Sequence, residues 1–166
     1  MRIIRAEIKH AEELFAVTQI SFKEYKDELS PSIEVKALKE SVEDVVNDIV
    51  NHSVFVALSN RKIIGGIRVK KLSKELAYIY RFAVDKNFSG QGVGSSLLEH
   101  AVEECREEGY TAIALYTNTK YYKLAKYYYG KRFFVHSTNA DKGYIRALFI
   151  KELTEDSYDI TPAKKI

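Results

Sequence analysis

The chain has 166 residues, 46% hydrophobic and 30% charged, which fits one globular domain able to bury a sizeable core. A net charge of +3 without any lysine- or arginine-rich block leaves out the electrostatic footprint of a nucleic-acid binder, so no such partner is expected. The single cysteine, Cys105, excludes an internal disulfide and a multi-cysteine metal site. The start lacks a signal-peptide pattern and no apolar run reaches the length of a membrane span, so a cytoplasmic protein without a membrane partner is expected.

In chain order, residues 2–6 read as a short edge strand. Residues 10–25 carry Leu14, Phe15, Val17, Ile20 and Phe22 at mostly helical spacing behind acidic residues, which predicts a helix. A loop marked by Pro31 precedes a second helix over 34–50, with Leu38, Val42, Val45, Val46 and Ile49 as its stripe. Strands over 53–58 and 62–70 flank the Ser59-Asn60-Arg61 turn as a hairpin, in which Gly65 and Gly66 mark a bulge or a close backbone approach. A strand over 76–84 follows. From Val93, the residues Val93, Leu97, Leu98, Ala101, Val102 and Cys105 share one helical face, and Gly109 is placed to end that helix. A strand over 111–116, a tyrosine-rich helix over 119–131 and strands over 133–137 and 144–153 complete the order. The tail, 154–166, has few apolar residues and is expected to be loosely held. The pattern β-α-α-β-β-β-α-β-α-β-β predicts one α/β (α+β) domain over 1–153, a mixed sheet with helices on its faces, whose 76–116 unit pairs in parallel.

Between the strand over 76–84 and the helix from Val93, glycines fall at every second position: Gly90, Gly92 and Gly94. A glycine-rich turn opening a helix presents unpaired backbone N–H groups at the positive end of the helix dipole, a setting for phosphate or pyrophosphate. A Walker loop fails because no lysine follows Gly94. The dinucleotide fingerprint nearly fits, with Ser95 as its last small residue. It lacks the acidic residue at the end of the next strand, which here finishes in Tyr116, Thr117 and Asn118.

The stretch AVDKNFSGQGVGSSLLEHAVEECREEG resembles motif A of the GNAT N-acetyltransferases, whose loop reads Gln/Arg-x-x-Gly-x-Gly/Ala. Gly92, Val93 and Gly94 match its second half, Gly90 and Gln91 match its commoner longer form, and Ser89 stands where arginine or glutamine is usual. IIRAEIKHAEELFAV resembles that family's first strand and helix, and RALFIKEL its closing strand. The resemblance implies a mostly antiparallel twisted sheet of about seven strands flanked by about four helices, with a central parallel pair that splays. It implies acetyl-CoA as cofactor, with its pyrophosphate on the amides from Ser89 to Ser95, that is Ser89, Gly90, Gln91, Gly92, Val93, Gly94 and Ser95. The main chain of Phe82, Ala83 and Val84 would hold the pantetheine arm as an added strand. Asn118 would contact the arm, and as a plain structural residue it would be a helix N-cap.

Six of the twelve tyrosines lie between Tyr116 and Tyr129. Most suit an aromatic packing face. The family ending Ala-x-x-x-Tyr-x-x-x-Gly-Phe places Ala125 on its alanine, Tyr129 on its tyrosine and Phe134 on its last aromatic. Phe133 replaces the glycine, which leaves Tyr128 as the other candidate. A phenol, with a pKa of about 10, stays protonated at neutral pH and can donate to a departing thiolate. Tyr129 is therefore the expected general acid of a direct transfer to a primary amine of a small molecule or peptide. The comparable family glutamate falls on Tyr80 here, so no base is assigned. A non-catalytic acyl-CoA sensor on the same scaffold is the alternative. Glu24, Asp27, Glu28, Glu34 and Glu75 read as ordinary surface charge, Cys105 as a packing residue, and the four scattered histidines form no metal pattern. Exposed strand edges leave a homodimer open.

Overall fold

Apolar spacing and caps decide where the elements of this chain begin and end. They are β1 (Arg2–Arg5), α1 (Ala11–Asp27), α2 (Val42–Asn51), β2 (Ser53–Ser59), β3 (Lys62–Lys71), β4 (Leu76–Val84), α3 (Val93–Glu107), β5 (Ala112–Asn118), α4 (Tyr122–Gly130), β6 (Phe134–Asn139), β7 (Arg146–Glu152) and α5 (Thr161–Lys164). The computed structural model describes residues 1–166. The seven strands form one sheet in the order β1-β2-β3-β4-β5-β7-β6. β4 and β5 pair in parallel, from Leu76↔Ala112 to Tyr78↔Ala114, while the β1/β2, β2/β3, β5/β7 and β6/β7 ladders are antiparallel. The parallel ladder stops at Tyr78 although β4 runs on to Val84.

Two expected helices start later than periodicity suggests. Residues 34–50 split into a 3₁₀ turn, Lys36–Lys39, and α2, because Glu40 and Ser41 are extended. Ser41 Oγ accepts from Asp44 N at 3.2 Å while the Asp44 carboxylate accepts from Ser41 N at 2.7 Å, a capping box that fixes the start. Likewise α4 begins at Tyr122 rather than 119. Asn118 Oδ1 accepts from Lys120 N at 2.9 Å and turns the chain before the helix, so Asn118 is an Asx-turn residue and not the N-cap.

The chain divides into two compact units, Met1–Val69 with Arg81–Glu103 and Lys70–Tyr80 with Glu104–Ile166. In the first, Ala11, Leu14 and Val17 of α1 and Val45 of α2 pack on Val54, Val56 and Ile63. Gly65 and Gly66 show the expected close approach, and the bulge falls on the residue just before them. Register steps from Ala57↔Gly65 to Leu58↔Ile63, so Ile64 is the extra residue of a bulge. A Cβ on Gly65 would sit 3.0 Å from Ala83 O, and one on Gly66 would run into Leu14 Cδ1.

The second unit is built on Leu76, Tyr78, Ala112, Ala114, Leu148 and Ile150. The segment after Leu153, read from sequence as a loosely held tail, carries α5. Its Ala163 is fully buried, and Ile160 and Ile166 pack on the same cluster. Alternation along β7 turns Phe149 to the other side, where it meets Tyr128 of α4.

One buried charge organises the first unit. Arg68, in the middle of β3, is fully buried. Its Nη1 donates to Glu40 Oε2 at 3.0 Å and to Asp48 Oδ2 at 2.7 Å, and its Nη2 donates to Glu40 Oε1 at 2.9 Å. Arg81 Nε adds a bond to Glu40 Oε2 at 3.0 Å. Burial by itself would lower the Arg68 pKa, but Glu40 and Asp48 outweigh it and raise it. Removing Glu40 leaves that cation short of its bidentate partner. Glu40→Ala is therefore expected to cost about 3–5 kcal/mol in urea unfolding. Lys39→Ala, which breaks an exposed pair with Glu34, should stay within about 0.5 kcal/mol of the parent.

Candidate functional site

In the first unit, the end of β4, the loop and the start of α3 form one continuous turn. Arg81 takes φ +49°, a left-handed conformation that costs a non-glycine residue energy, and its side chain is tied to Glu40. Phe82, Ala83 and Val84 complete the strand, with Ala83 buried. Asp85 N then donates to Ile64 O at 2.9 Å, so the β3 bulge pins the exit of β4. Asp85 Oδ1 accepts from Asn87 N at 2.9 Å and closes a 3₁₀ turn, Lys86–Phe88, that delivers the chain to the glycines.

Gly90 and Gly92 have φ of +74° and +83°, and a Cβ at either would meet nothing within 4 Å. Backbone shape, not crowding, requires glycine there, and the space above each is open. Among the loop amides, Ser89 N donates to Lys86 O at 3.0 Å and Gln91 N to Phe88 O at 3.4 Å. The Gln91 side chain folds back onto Asn87 O at 3.0 Å. The amides of Gly90, Gly92, Val93, Gly94 and Ser95 donate to no acceptor in the protein, and the first helical bond is Ser96 N to Gly92 O at 2.9 Å. Five amides at the start of a 15-residue helix, with open space over Gly90 and Gly92, are arranged so that they could take an anion. The seven predicted loop residues and the three strand residues are thus brought together on one unit.

Asn118 and the tyrosines belong to the second unit. Tyr128 is buried, its ring 5.6 Å from Phe133 and 5.7 Å from Phe149. Phe133, which takes the place of the family glycine, is itself buried and donates its N–H to Tyr128 O at 3.0 Å. Tyr129 is 55% exposed and touches Phe149 by one edge at 5.5 Å. Of the two candidates, only the Tyr129 ring is open to a ligand. Glu75 is a turn residue. Its carboxylate accepts from Ser73 Oγ at 3.1 Å and its carbonyl from Thr111 N at 2.8 Å. Glu24 pairs with Lys86 at 2.9 Å and Glu34 with Lys39 at 3.0 Å, as surface charges do.

Cys105 is buried on α3, and loss of solvation with help from Glu108 and Glu104 pushes its thiol up to about 12. It is no thiolate nucleophile at neutral pH. No cluster of histidine, cysteine, aspartate and glutamate side chains could hold a metal ion, and no helix is long and apolar enough to cross a membrane. Sequence reasoning missed the Arg68, Glu40, Asp48 and Arg81 network and the buried Arg146 of β7. The available signal was a charged residue inside an otherwise apolar strand, Ile67-Arg68-Val69 and Arg146-Ala147-Leu148.

Residues 21–133 match the acetyltransferase (GNAT) family, more than half of the chain, and the protein belongs to that family. No curated protein matches the chain by sequence. Among solved structures, it resembles the PaiA N-acetyltransferase of Thermoplasma acidophilum in complex with coenzyme A. That match has a TM-score of 0.78 at 21% identity, covering 91% of this chain and 98% of that one. It also resembles yncA of Salmonella typhimurium with acetyl-CoA, at a TM-score of 0.76 and 12% identity over 96% and 97% of the two chains. A ribosomal-protein-alanine N-acetyltransferase from Brucella melitensis gives 0.75 at 16% identity over 92% and 100%. At these identities the likeness is one of fold.

The contrast between the two tyrosines has a direct consequence for stability. Tyr128→Ala should cost about 3–5 kcal/mol in denaturant unfolding, whereas Tyr129→Ala should stay below about 1 kcal/mol. Native protein at pH 8 should also resist iodoacetamide, with Cys105 alkylated only after unfolding, as read by intact-mass spectrometry.

Proposed function

We propose that the protein is an N-acetyltransferase that moves an acetyl group from acetyl-CoA directly to a primary amine of a small molecule or peptide. The observation that carries this reading is the row of unspent amides at Gly90, Gly92, Val93, Gly94 and Ser95, joined to the family membership. Neighbours of the same fold include structures with coenzyme A and with acetyl-CoA.

The loop fits that cofactor. Its amides, with those of Ser89 and Gln91 at the rim, would hold the pyrophosphate without help from a charged side chain, so the departure at Ser89 costs little. Phe82, Ala83 and Val84 would hold the pantetheine arm through main-chain N–H and C=O groups, with Asn118 as a further contact. The cofactor would supply a thioester, an acetyl group already activated for transfer. The Val84 amide would polarise the thioester carbonyl, and Tyr129 would give its phenolic proton to the departing sulfur. A primary ammonium, with a pKa of about 10.4, must first lose its proton. The inert Cys105 thiol agrees with direct transfer, since no acyl-cysteine can form there.

Calorimetry with acetyl-CoA tests the cradle. The parent is expected to bind, and Gly92→Glu, which puts a carboxylate over the amides, is expected to abolish binding. A folded parent that does not bind would overturn the assignment. Thiol release over an amine panel separates enzyme from sensor, since a sensor would bind acetyl-CoA and release no thiol beyond background. For the acid, Tyr129→Phe should lower kcat about 100-fold or more while acetyl-CoA affinity stays within about twofold. Equal losses in both would remove Tyr129 from that role.

A further inference from the structure

Two arginines of this chain are almost wholly withdrawn from solvent, and they are treated differently. Arg68 meets two carboxylates. Arg146, the first residue of β7, is 5% exposed and pairs with none. Its Nε donates to Asn139 Oδ1 at 3.0 Å, and its guanidinium carbon lies 3.8 Å from the centre of the Tyr116 ring. Asn139 Nδ2 in turn donates to the Tyr116 hydroxyl at 3.4 Å, so three side chains hold one another and the guanidinium keeps a single orientation. Its two terminal nitrogens donate to nothing in the protein and, unlike Arg68 Nε, are not fully shut off from solvent, so the 5% exposure lies where a ligand could reach.

A ring face and one carboxamide oxygen return only part of the hydration that a guanidinium loses on burial. What remains is a planar fork of N–H donors with a positive charge that no protein anion neutralises. Its geometric complement is a carboxylate, taken through two parallel bonds. We propose that Arg146 binds the carboxylate of the acceptor, so that the substrate is a primary amine that also carries a carboxylate, as an amino acid or a short peptide does. This deepens the acetyltransferase reading and rests on it.

A phosphate of the cofactor offers similar chemistry, but the strand alternation favours the acceptor. Arg146 shares its side of β7 with Leu148 and Ile150, while Phe149 points the other way and carries Tyr128 and Tyr129 of α4. Tyr129 is the residue proposed to serve the departing sulfur. The alternation keeps Arg146 away from the residue proposed to serve the departing sulfur, which leaves its fork for the other reactant.

The test measures thiol release from acetyl-CoA with matched pairs of amines, each amino acid beside its carboxamide, for the parent, Arg146→Gln and Arg146→Lys. The parent is expected to prefer the acid by about tenfold or more in kcat/KM. Arg146→Gln should raise KM for the acid about 10- to 100-fold with kcat within about threefold, and should erase the preference. Arg146→Lys should fall between. Acetyl-CoA affinity should not change, and the thermal midpoint of Arg146→Gln should hold or rise, because an uncompensated charge has left the interior.

No preference for the acid, or a lower thermal midpoint with unchanged kinetics, overturns the proposal. A weaker acetyl-CoA affinity with unchanged acceptor KM assigns the fork to a cofactor phosphate and overturns it too. Should acetyl-CoA bind and no pair react, glycine and its carboxamide are titrated into the complex while the Arg146 Nε–H signal is followed by NMR. A shift with glycine alone supports the proposal, and no shift ends it. Failure of the parent to bind acetyl-CoA is the separate failure of the acetyltransferase reading.

Discussion

A guanidinium in the middle of a strand is the constraint around which the first unit is arranged. Arg68 is flanked by Ile67 and Val69 and has no water to solvate it, so its charge has to be met by groups that the fold brings to it. Glu40 and Asp48 do this from two sides of the α2 start, one before the capping box and one within the helix. That requirement accounts for the extended backbone at Glu40, which interrupts what the apolar stripe alone would make a single helix. Against an apolar replacement such a network is close to neutral in energy, but once formed it tolerates few arrangements of its parts.

The same carboxylate reaches the segment next to the proposed cofactor strand. Glu40 also holds Arg81, whose left-handed turn comes one residue before the strand proposed for the cofactor arm. At the far end of that strand, the bulged Ile64 fixes Asp85 through a backbone bond. Phe82, Ala83 and Val84 therefore lie between two anchored points, one an ion pair and one a ladder irregularity. Preorganised main-chain groups of this kind bind without the ordering cost that flexible side chains would bring.

The two buried arginines show how burial and charge separate structural from functional roles. Arg68 is matched in charge by two carboxylates of its own protein, although its Nε has no hydrogen-bond partner. Arg146 is stacked and oriented but not neutralised, and a chain retains such a group at a cost to stability. The two adjacent tyrosines divide in a similar way. Tyr128 is sealed by Phe133 and Phe149 and belongs to the core, while Tyr129 is left half open to whatever lies outside.

The order of elements, the parallel pairing of the 76–116 unit and the glycine loop were legible in the sequence, because each rests on local signals. Apolar spacing reports which face of a helix or strand is covered, and a backbone at φ +74° or +83° is one that residues with a Cβ rarely adopt. The family motif added the cofactor to that reading. Only the tertiary structure decided the rest. The start of α2 was lost to Ser41 and Asp44 because a cap competes with periodicity over a few residues. Tyr128 and Tyr129 are one position apart in a run of like side chains, and only the partners on β7 tell them apart. The partners of Arg68 lie 20 and 28 positions away, and no local pattern could have paired them or left Arg146 without one. Periodicity is a property of neighbours in the chain, whereas neutralising a buried charge depends on neighbours in space.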